Sequence, residues 1–437
     1  MHPGVLSFAL ERWVDPAAAF AALFDGRTDV FWLDSGPRAS AGRSFMGAAR
    51  RVVSGGAEVL EEVAGDLAAR RIPPADGLPL GWVGWLGYEL RGATMGVAGV
   101  PRSRYSDAAF LDVDRALVFD HAAEVVTLVA LGESWTPELE AWRSATVATL
   151  ETAGAPVAPA VPHPATATWA YDEARYLEMI AACQRSIEAG DAYQLCLTTE
   201  ATVDVAPDPL ATYLALRDSS PSHHGALVRI GDVALLSASP EQFLTVTPEG
   251  IVESRPIKGT RPRGATPQLD EALRAELLAS EKERAENLMI VDLMRNDITR
   301  IAEVGSIAVT SLLAVESYAH VHQLVSTVQG RLAPGLSAMD AVRACFPAGS
   351  MTGAPKRSAT LILDGLEQRA RGIYSGAFGL FSLDGTVDLA MVIRSIVLDP
   401  RGATIGAGGG ITALSVPAEE LAEVRLKAAA LLRVLGA

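Results

Sequence analysis

The chain of 437 residues has a net charge of −15, with 49% hydrophobic and 20% charged residues. This balance predicts a globular protein with an extensive core and argues against nucleic acid as the main partner. No apolar run reaches about 18 residues, so we expect neither a transmembrane helix nor a membrane partner. Three widely spaced cysteines and a start without a signal-peptide pattern indicate a cytoplasmic protein.

The first part of the chain alternates short strand-like runs, at 30–33, 116–119 and 125–129, with alanine-rich helical segments. A stretch rich in proline and alanine follows and is typical of a semi-extended linker. We therefore predict an N-terminal subdomain at 1–152, a linker at 153–168 and a catalytic domain at 169–437.

The rest of the chain mixes strands and helices without the regular alternation of a doubly wound sheet. Short turns at 231–232 and 383–386 predict antiparallel hairpins. We expect an α+β fold of layered antiparallel sheets flanked by helices. The predicted strands are 226–230, 233–238, 242–247, 304–311, 376–382, 389–397 and 403–407, and the predicted helices are 171–188, 267–297, 338–345, 355–371 and 418–435.

Lysine is rare in this chain, which has four lysines and 33 arginines. Lys258 lies in the segment Pro256-Ile257-Lys258-Gly259-Thr260, whose proline and glycine indicate a tight loop. An amine can lose its proton and attack carbon, which a guanidinium in a protein cannot. Lys258 is therefore a candidate nucleophile, and the alternatives are an anchor for an anion or a solvated surface charge.

Several carboxylates could serve the same site. Glu241 ends a predicted strand, and Glu286 lies among apolar residues of a predicted helix. Glu420, Glu423 and Lys427 fall on one face of the last helix by their spacing. Each of these patterns, taken alone, is also common on ordinary protein surfaces.

Two further segments suggest anion binding. Residues 406–410 include four glycines after a predicted strand, and free amides of such a loop can hold a carboxylate. Arg394 ends an apolar strand and is expected to need a charged partner. Residues 346–356 open a helix and offer amides and hydroxyls to an anion.

In this order and spacing, the segments resemble the chorismate-utilising enzymes over about residues 170–435, most closely the aminodeoxychorismate synthase component I group. The resemblance implies a chorismate-binding sandwich like that of anthranilate synthase component I. It implies that Lys258 attacks C2 of chorismate as the C4 hydroxyl leaves, and that ammonia then displaces the lysine to give 4-amino-4-deoxychorismate. Glu241 is the implied general acid and base.

The resemblance also implies Mg²⁺ as the cofactor, with Glu286 and Glu423 as ligands and Glu420 nearby. The residues implied to hold or line the chorismate site are Gly259, Thr260, Thr352, Tyr374, Arg394, Gly408, Gly409, Gly410 and Lys427.

The chain departs from the family pattern at three positions. Gln323 replaces a frequent histidine and keeps hydrogen bonding but not proton transfer, and His322 is not assumed to substitute for it. Cys196 replaces a common asparagine, and Leu421 replaces a frequent aromatic residue.

The resemblance leaves anthranilate synthase component I as the main alternative. That group has alanine where Lys258 stands, which leaves ammonia free to attack C2. Isochorismate and salicylate synthases have a water-activating lysine where this chain has Gln194, so hydroxylating chemistry is disfavoured. A non-catalytic chorismate-binding subunit would need no nucleophile.

The sequence shows no Gly-x-Cys-x-Gly elbow of a glutaminase. We therefore expect ammonia to come from solution or from a separate glutamine amidotransferase subunit. Whether the product serves 4-aminobenzoate and folate synthesis or a specialised aromatic pathway stays open.

Overall fold

The computed structural model describes residues 4–154, 164–318 and 321–437, and these contain 22 strands and eleven α-helices. The strands are β1 (Val5–Ala9), β2 (Val30–Asp34), β3 (Arg43–Ala48), β4 (Arg51–Gly55), β5 (Gly81–Leu86), β6 (Ala108–Val113), β7 (Arg115–Asp120), β8 (Val125–Leu131), β9 (Ala167–Trp169), β10 (Gln194–Val203), β11 (His224–Ile230), β12 (Val233–Ser239), β13 (Gln242–Val246), β14 (Ile251–Ser254), β15 (Ile257–Pro262), β16 (Ala308–Ser317), β17 (Val321–Arg331), β18 (Gly353–Ala354), β19 (Ala377–Ser382), β20 (Val387–Met391), β21 (Ser395–Asp399) and β22 (Gly402–Ile411).

The helices surround these strands. They are α1 (Pro16–Phe24), α2 (Glu58–Ala69), α3 (Arg91–Thr94), α4 (Pro137–Glu151), α5 (Glu173–Glu188), α6 (Pro209–Ser219), α7 (Pro267–Ala279), α8 (Glu281–Thr299), α9 (Ala338–Cys345), α10 (Lys356–Glu367) and α11 (Pro417–Val434). Within the described ranges, no helix is both long and apolar enough to cross a membrane.

The strands form two antiparallel sheets. The twelve-stranded sheet has the order β1-β8-β7-β3-β2-β11-β12-β21-β22-β10-β18, with β9 paired to β10. The ten-stranded sheet has the order β15-β17-β14-β13-β20-β19-β5-β6-β4, with β16 paired to β17. Because β2 pairs with β11 and β5 pairs with β19, strands from before and after residues 155–163 share both sheets. The subdomain boundaries stay a prediction, and residues 155–163 of the predicted linker lie outside the described residues.

The inner faces of the two sheets pack on each other. Phe31 and Val228 of the twelve-stranded sheet share one buried cluster with Val83 and Leu111 of the ten-stranded sheet. Helices α1, α5, α6 and α11 cover the outer face of the larger sheet, and α2, α8 and α9 cover that of the smaller one. The two sheets and the helices on their outer faces thus form four layers, with a buried apolar cluster between each neighbouring pair. This confirms the predicted α+β sandwich.

Two predicted elements are broken in the structure. The predicted strand 389–397 is wrong, because β20 lies in the ten-stranded sheet and β21 in the twelve-stranded sheet. The chain changes sheets at Arg394, whose left-handed backbone (φ 51°) allows the turn. The predicted helix 267–297 is also wrong as one element, since Ser280 ends α7 and caps α8 by accepting a hydrogen bond from the Glu283 amide.

The other predicted elements agree with the structure apart from their ends. The hairpins at 231–232 and 383–386 join β11 to β12 and β19 to β20 as antiparallel pairs. The predicted strand 304–311 begins only at Ala308, and the predicted helix 355–371 ends at Glu367, before the left-handed Gln368. The glycine-rich segment 406–410 was expected as a loop but lies inside β22, paired with β10.

Candidate active site

One cavity of about 500 Å³ opens where β15, β22, α8 and α11 meet. Thirteen of the fourteen residues that the sequence singled out line its wall: Glu241, Lys258, Gly259, Thr260, Glu286, Tyr374, Arg394, Gly408, Gly409, Gly410, Glu420, Glu423 and Lys427. Thr352 is not in that wall. Its buried hydroxyl donates to the carbonyls of Ala348 (3.1 Å) and Gly349 (3.3 Å).

Lys258 lies on β15, and the backbone of this strand places it in the cavity wall. The pairing of β15 with β17 shifts register between Ile257 and Thr260, so the strand bulges at Lys258 and Gly259. Gly259 has a φ of 87°, and a Cβ there would come within 2.8 Å of Leu277 Cδ1. The Lys258 Nζ lies 3.8 Å from Glu286 Oε2, with 14% of the lysine side chain exposed.

Glu241 lies between β12 and β13 and is buried. Burial raises the pKa of its carboxyl group to about 7, although Lys258, Ser350 and Lys427 oppose the shift. A carboxyl group with this pKa is present in both protonation states near neutral pH. It can therefore donate and accept a proton in the same catalytic cycle.

Helices α8 and α11 bring carboxylates and lysines to the same side of the cavity. The Glu423 carboxylate pairs with Lys427 at 2.7 Å, and the Glu420 carboxylate pairs with Lys282 at 3.1 Å. Burial raises the pKa of Glu286, although the positive charges of Lys258 and Lys282 act to lower it. Burial also favours protonation of Glu423, but the nearby lysines, Lys427 first, hold its pKa below the usual range.

Lys282 was not among the residues that the sequence singled out. It lines the cavity beside Lys258 and Lys427, so three of the four lysines of the chain meet there. The fourth, Lys356, pairs with Asp297 away from the cavity. Lysine is rare throughout this chain, so the argument that drew attention to Lys258 could also have identified Lys282.

The carboxylates suit a magnesium ion by their chemistry. Within the described ranges, no group of three or more His, Cys, Asp or Glu side chains is spaced to hold a metal ion. Mg²⁺, however, commonly takes only one or two protein carboxylates and completes its shell with water or substrate oxygens. Glu286 and Glu423, with Glu420 close by, supply such hard oxygen donors within one cavity, and this donor set fits the ion.

The glycines of β22 allow close approach around the cavity. A Cβ on Gly406 would overlap the Tyr374 ring, and one on Gly410 would overlap the Gln194 amide. Among the described residues, β21 pairs with β22 only as far as Thr404, so the edge of β22 beyond Thr404 has no strand partner on that side. The Gly408 carbonyl at this edge accepts a hydrogen bond from Lys427 (3.0 Å). Peptide groups of residues two apart in a strand point to the same edge, so the Gly410 peptide faces the same edge as the Gly408 peptide. Backbone amides are therefore available to a ligand there, although the segment is a strand and not a loop.

Arg394 occupies the turn between β20 and β21, and its side chain is exposed to the cavity. The sequence led us to expect a charged partner for it. Within the described part of the chain, its guanidinium has no ion pair and no hydrogen bond with a protein acceptor. A guanidinium in this position can bind a carboxylate that enters the cavity.

The departures from the family pattern have different positions. Gln323 and Cys196 line the cavity, whereas Leu421 packs in the core. His322 does not line the cavity, because its ring is hydrogen-bonded to Asp270 (2.9 Å) and Ser317 (2.8 Å).

The model of the chorismate binding enzyme family matches residues 19–433. The aminodeoxychorismate synthase of Streptomyces griseus is 45% identical over 97% of this chain, which spans only 63% of that relative's length. The anthranilate synthase component 1 of Streptomyces coelicolor is 37% identical over 97% of this chain and 87% of the relative. The crystal structure of anthranilate synthase component I from Streptococcus pneumoniae matches with a TM-score of 0.78 and 28% identity, covering 97% of this chain and 99% of that one. The expected sandwich fold is therefore confirmed.

Proposed function

The chain belongs to the family of chorismate-binding enzymes, and we propose that it converts chorismate and ammonia to 4-amino-4-deoxychorismate through a covalent intermediate on Lys258. The proposal rests on one observation above all: an amine and a buried carboxyl group with a pKa of about 7 share the same cavity. Displacement of a hydroxyl group requires a nucleophile and a proton donor whose pKa lies near the working pH.

The residues divide the reaction between them. The Lys258 amine bonds to C2 of the ring, both ring double bonds shift toward C4, and the C4 hydroxyl leaves as water with a proton from Glu241. Ammonia then bonds to C4, both double bonds shift back, and the C2–N bond breaks to release the lysine amine. Glu241 takes up the proton that the incoming ammonia loses, so the acid is restored for the next cycle.

The cavity is suited to a dicarboxylate together with a divalent cation. Its wall contains five carboxylates and five lysine or arginine side chains: Glu241, Glu283, Glu286, Glu420 and Glu423, and Lys258, Arg261, Lys282, Arg394 and Lys427. Chorismate adds two negative charges, and one Mg²⁺ would balance them. When bound, the ion would be held by Glu286 and Glu423 and would neutralise a substrate carboxylate. Arg394 and the amides at the open edge of β22 would hold the other carboxylate.

Anthranilate formation is the second candidate, because a relative of that name matches over most of its own length. Direct attack of ammonia on C2 needs free space at that carbon. In this chain the Lys258 amine lines the cavity, and under the proposal it would lie next to C2. It would therefore compete with ammonia for that carbon. This argument favours the 4-amino product over the 2-amino product.

Ammonia would reach this cavity from solution or from a glutamine amidotransferase subunit, which we propose as the partner. Folate synthesis through 4-aminobenzoate, or a related aromatic pathway, would consume the product. The three cysteines are free thiols and buried, which supports a cytoplasmic location.

The proposal is tested by identifying the product. Purified chain is incubated with chorismate, Mg²⁺ and an ammonium salt, and the products are separated and identified by mass spectrometry. The proposal predicts 4-amino-4-deoxychorismate as the main product. Anthranilate as the main product would establish the second candidate instead.

A further inference from the structure

Lys282 lies between the two helices that supply the carboxylates of the cavity. It is on α8, one turn before Glu286, and it reaches across to Glu420 of α11 (Nζ to Oε1, 3.1 Å). Glu420 is almost fully buried, with 3% of its side chain exposed, whereas 43% of the Lys282 side chain is exposed. The lysine therefore neutralises a buried carboxylate from a position that solvent can reach.

Three carboxylates act on this one ammonium group. Glu420 is its closest partner, and Glu286 and Glu423 also raise the Lys282 pKa, against the opposing effect of burial. Each of the other two has a further lysine: Lys258 is 3.8 Å from Glu286, and Lys427 is 2.7 Å from Glu423.

Glu420 has no second cation within ion-pair distance among the described residues. Its other hydrogen bond comes from the Ser415 hydroxyl (2.7 Å). A buried carboxylate without a cation destabilises the folded state, so Lys282 is important wherever no metal is present.

We propose that Lys282 is a built-in counter-ion that holds the carboxylates of α8 and α11 together in the metal-free chain and gives way to a divalent cation when one binds. The inference rests on the proposed function, because it concerns the magnesium site suggested there. A divalent cation between Glu286 and Glu423 would repel the ammonium group, and the exposed side of Lys282 gives it a path toward solvent. The metal-free site would thus be stable without being closed to the ion.

The proposal predicts two opposite effects of removing this charge. Lys282→Met leaves Glu420 buried without its cation, so the metal-free protein should unfold at a lower temperature than wild type. The same change removes the charge that competes with the metal, so Mg²⁺ should bind about tenfold more tightly or better. Added Mg²⁺ should therefore restore the lost thermal stability.

The experiment measures unfolding temperature in a chelator and across a Mg²⁺ titration, with affinity measured by calorimetry. Lys282→Arg keeps the charge and should stay close to wild type in both measurements. Lys356→Met is the matched control, because it removes a lysine paired with a buried aspartate, Asp297, outside the cavity. Its stability loss should not be restored by Mg²⁺.

Tighter Mg²⁺ binding by Lys282→Met, together with metal-restored stability, would support the proposal. Wild-type or weaker Mg²⁺ affinity in Lys282→Met would overturn it while leaving the magnesium site intact. An absence of Mg²⁺ binding in every variant, with chorismate present as well, would overturn both this inference and the metal part of the proposed function.

Discussion

The clearest consequence of the site concerns the number of protons shared by Lys258 and Glu241. The reactive form needs a neutral amine and a protonated acid, which is one proton on the pair. Burial raises the Glu241 pKa to about 7, so below pH 7 the pair holds two protons and the amine cannot attack. Above pH 7 the pair has lost one proton and can adopt the reactive form. We therefore expect kcat/KM for chorismate to rise with pH and to level off near pH 7.

The size of the effect follows from that pKa. At pH 6 about nine tenths of the pair holds two protons, so kcat/KM should be about a tenth of its plateau value. Free ammonia must be held constant across the series by adjusting total ammonium, and kcat/KM is used because it reports ionisations of the free enzyme.

Variants separate Glu241 from other buried acids. Glu241→Gln should lower kcat/KM by about 10²- to 10⁴-fold and remove the break at pH 7. Asp388→Asn is the matched control, because Asp388 is half-buried and burial raises its pKa to about 6, but it lies outside the cavity. It should keep the break. The same break in Glu241→Gln, or no break in the wild type, would refute the assignment of Glu241.

Four further predictions follow from the site. Lys258→Ala should lose 4-amino-4-deoxychorismate formation and turn weakly toward anthranilate, and activity within a factor of two of wild type, measured by product analysis, would exclude the lysine. Glu286→Gln and Glu423→Gln should each abolish Mg²⁺-dependent turnover with an unchanged circular dichroism spectrum, and full wild-type activity in excess chelator would contradict this. Gly410→Ala should cost about a hundredfold in kcat/KM, because the new Cβ would overlap Gln194 beside Lys258; an unchanged kcat/KM would count against the close packing. The chain should turn over with ammonium and not with glutamine, at a rate that climbs between pH 7 and about 9 at fixed total ammonium, and glutamine hydrolysis matching product formation would overturn the two-subunit view.

Local patterns in the sequence predicted much of the fold. Short apolar runs joined by a two-residue turn predict hairpins such as β11 and β12 without help from distant parts of the chain. The break at Arg394 could not be predicted, because an apolar run is equally compatible with one strand or with two strands in packed sheets. Only the stacking of the sheets decides between them.

The candidate site was predictable where several residue types occurred together at fixed spacing, as around Lys258. Lys282 was missed, because it lies in a charged helix where a solvated lysine is the usual interpretation. Its role depends on Glu420, which is 138 residues away along the chain. The glycines of β22 were expected to form a loop. They lie inside a strand because Tyr374 and Gln194 pack closely against them, and the local sequence does not show these tertiary contacts.

The central claim is that Lys258 forms a bond to the substrate ring, and intact-protein mass spectrometry tests it most directly. The chain is mixed with chorismate and Mg²⁺ in the absence of ammonia, quenched rapidly and then mapped by peptide analysis. We predict a mass increase equal to chorismate minus water on the peptide that contains Lys258, and its loss when ammonia is added before the quench. Formation of 4-amino-4-deoxychorismate at the wild-type rate by Lys258→Ala, with no adduct on the wild-type chain, would contradict the claim.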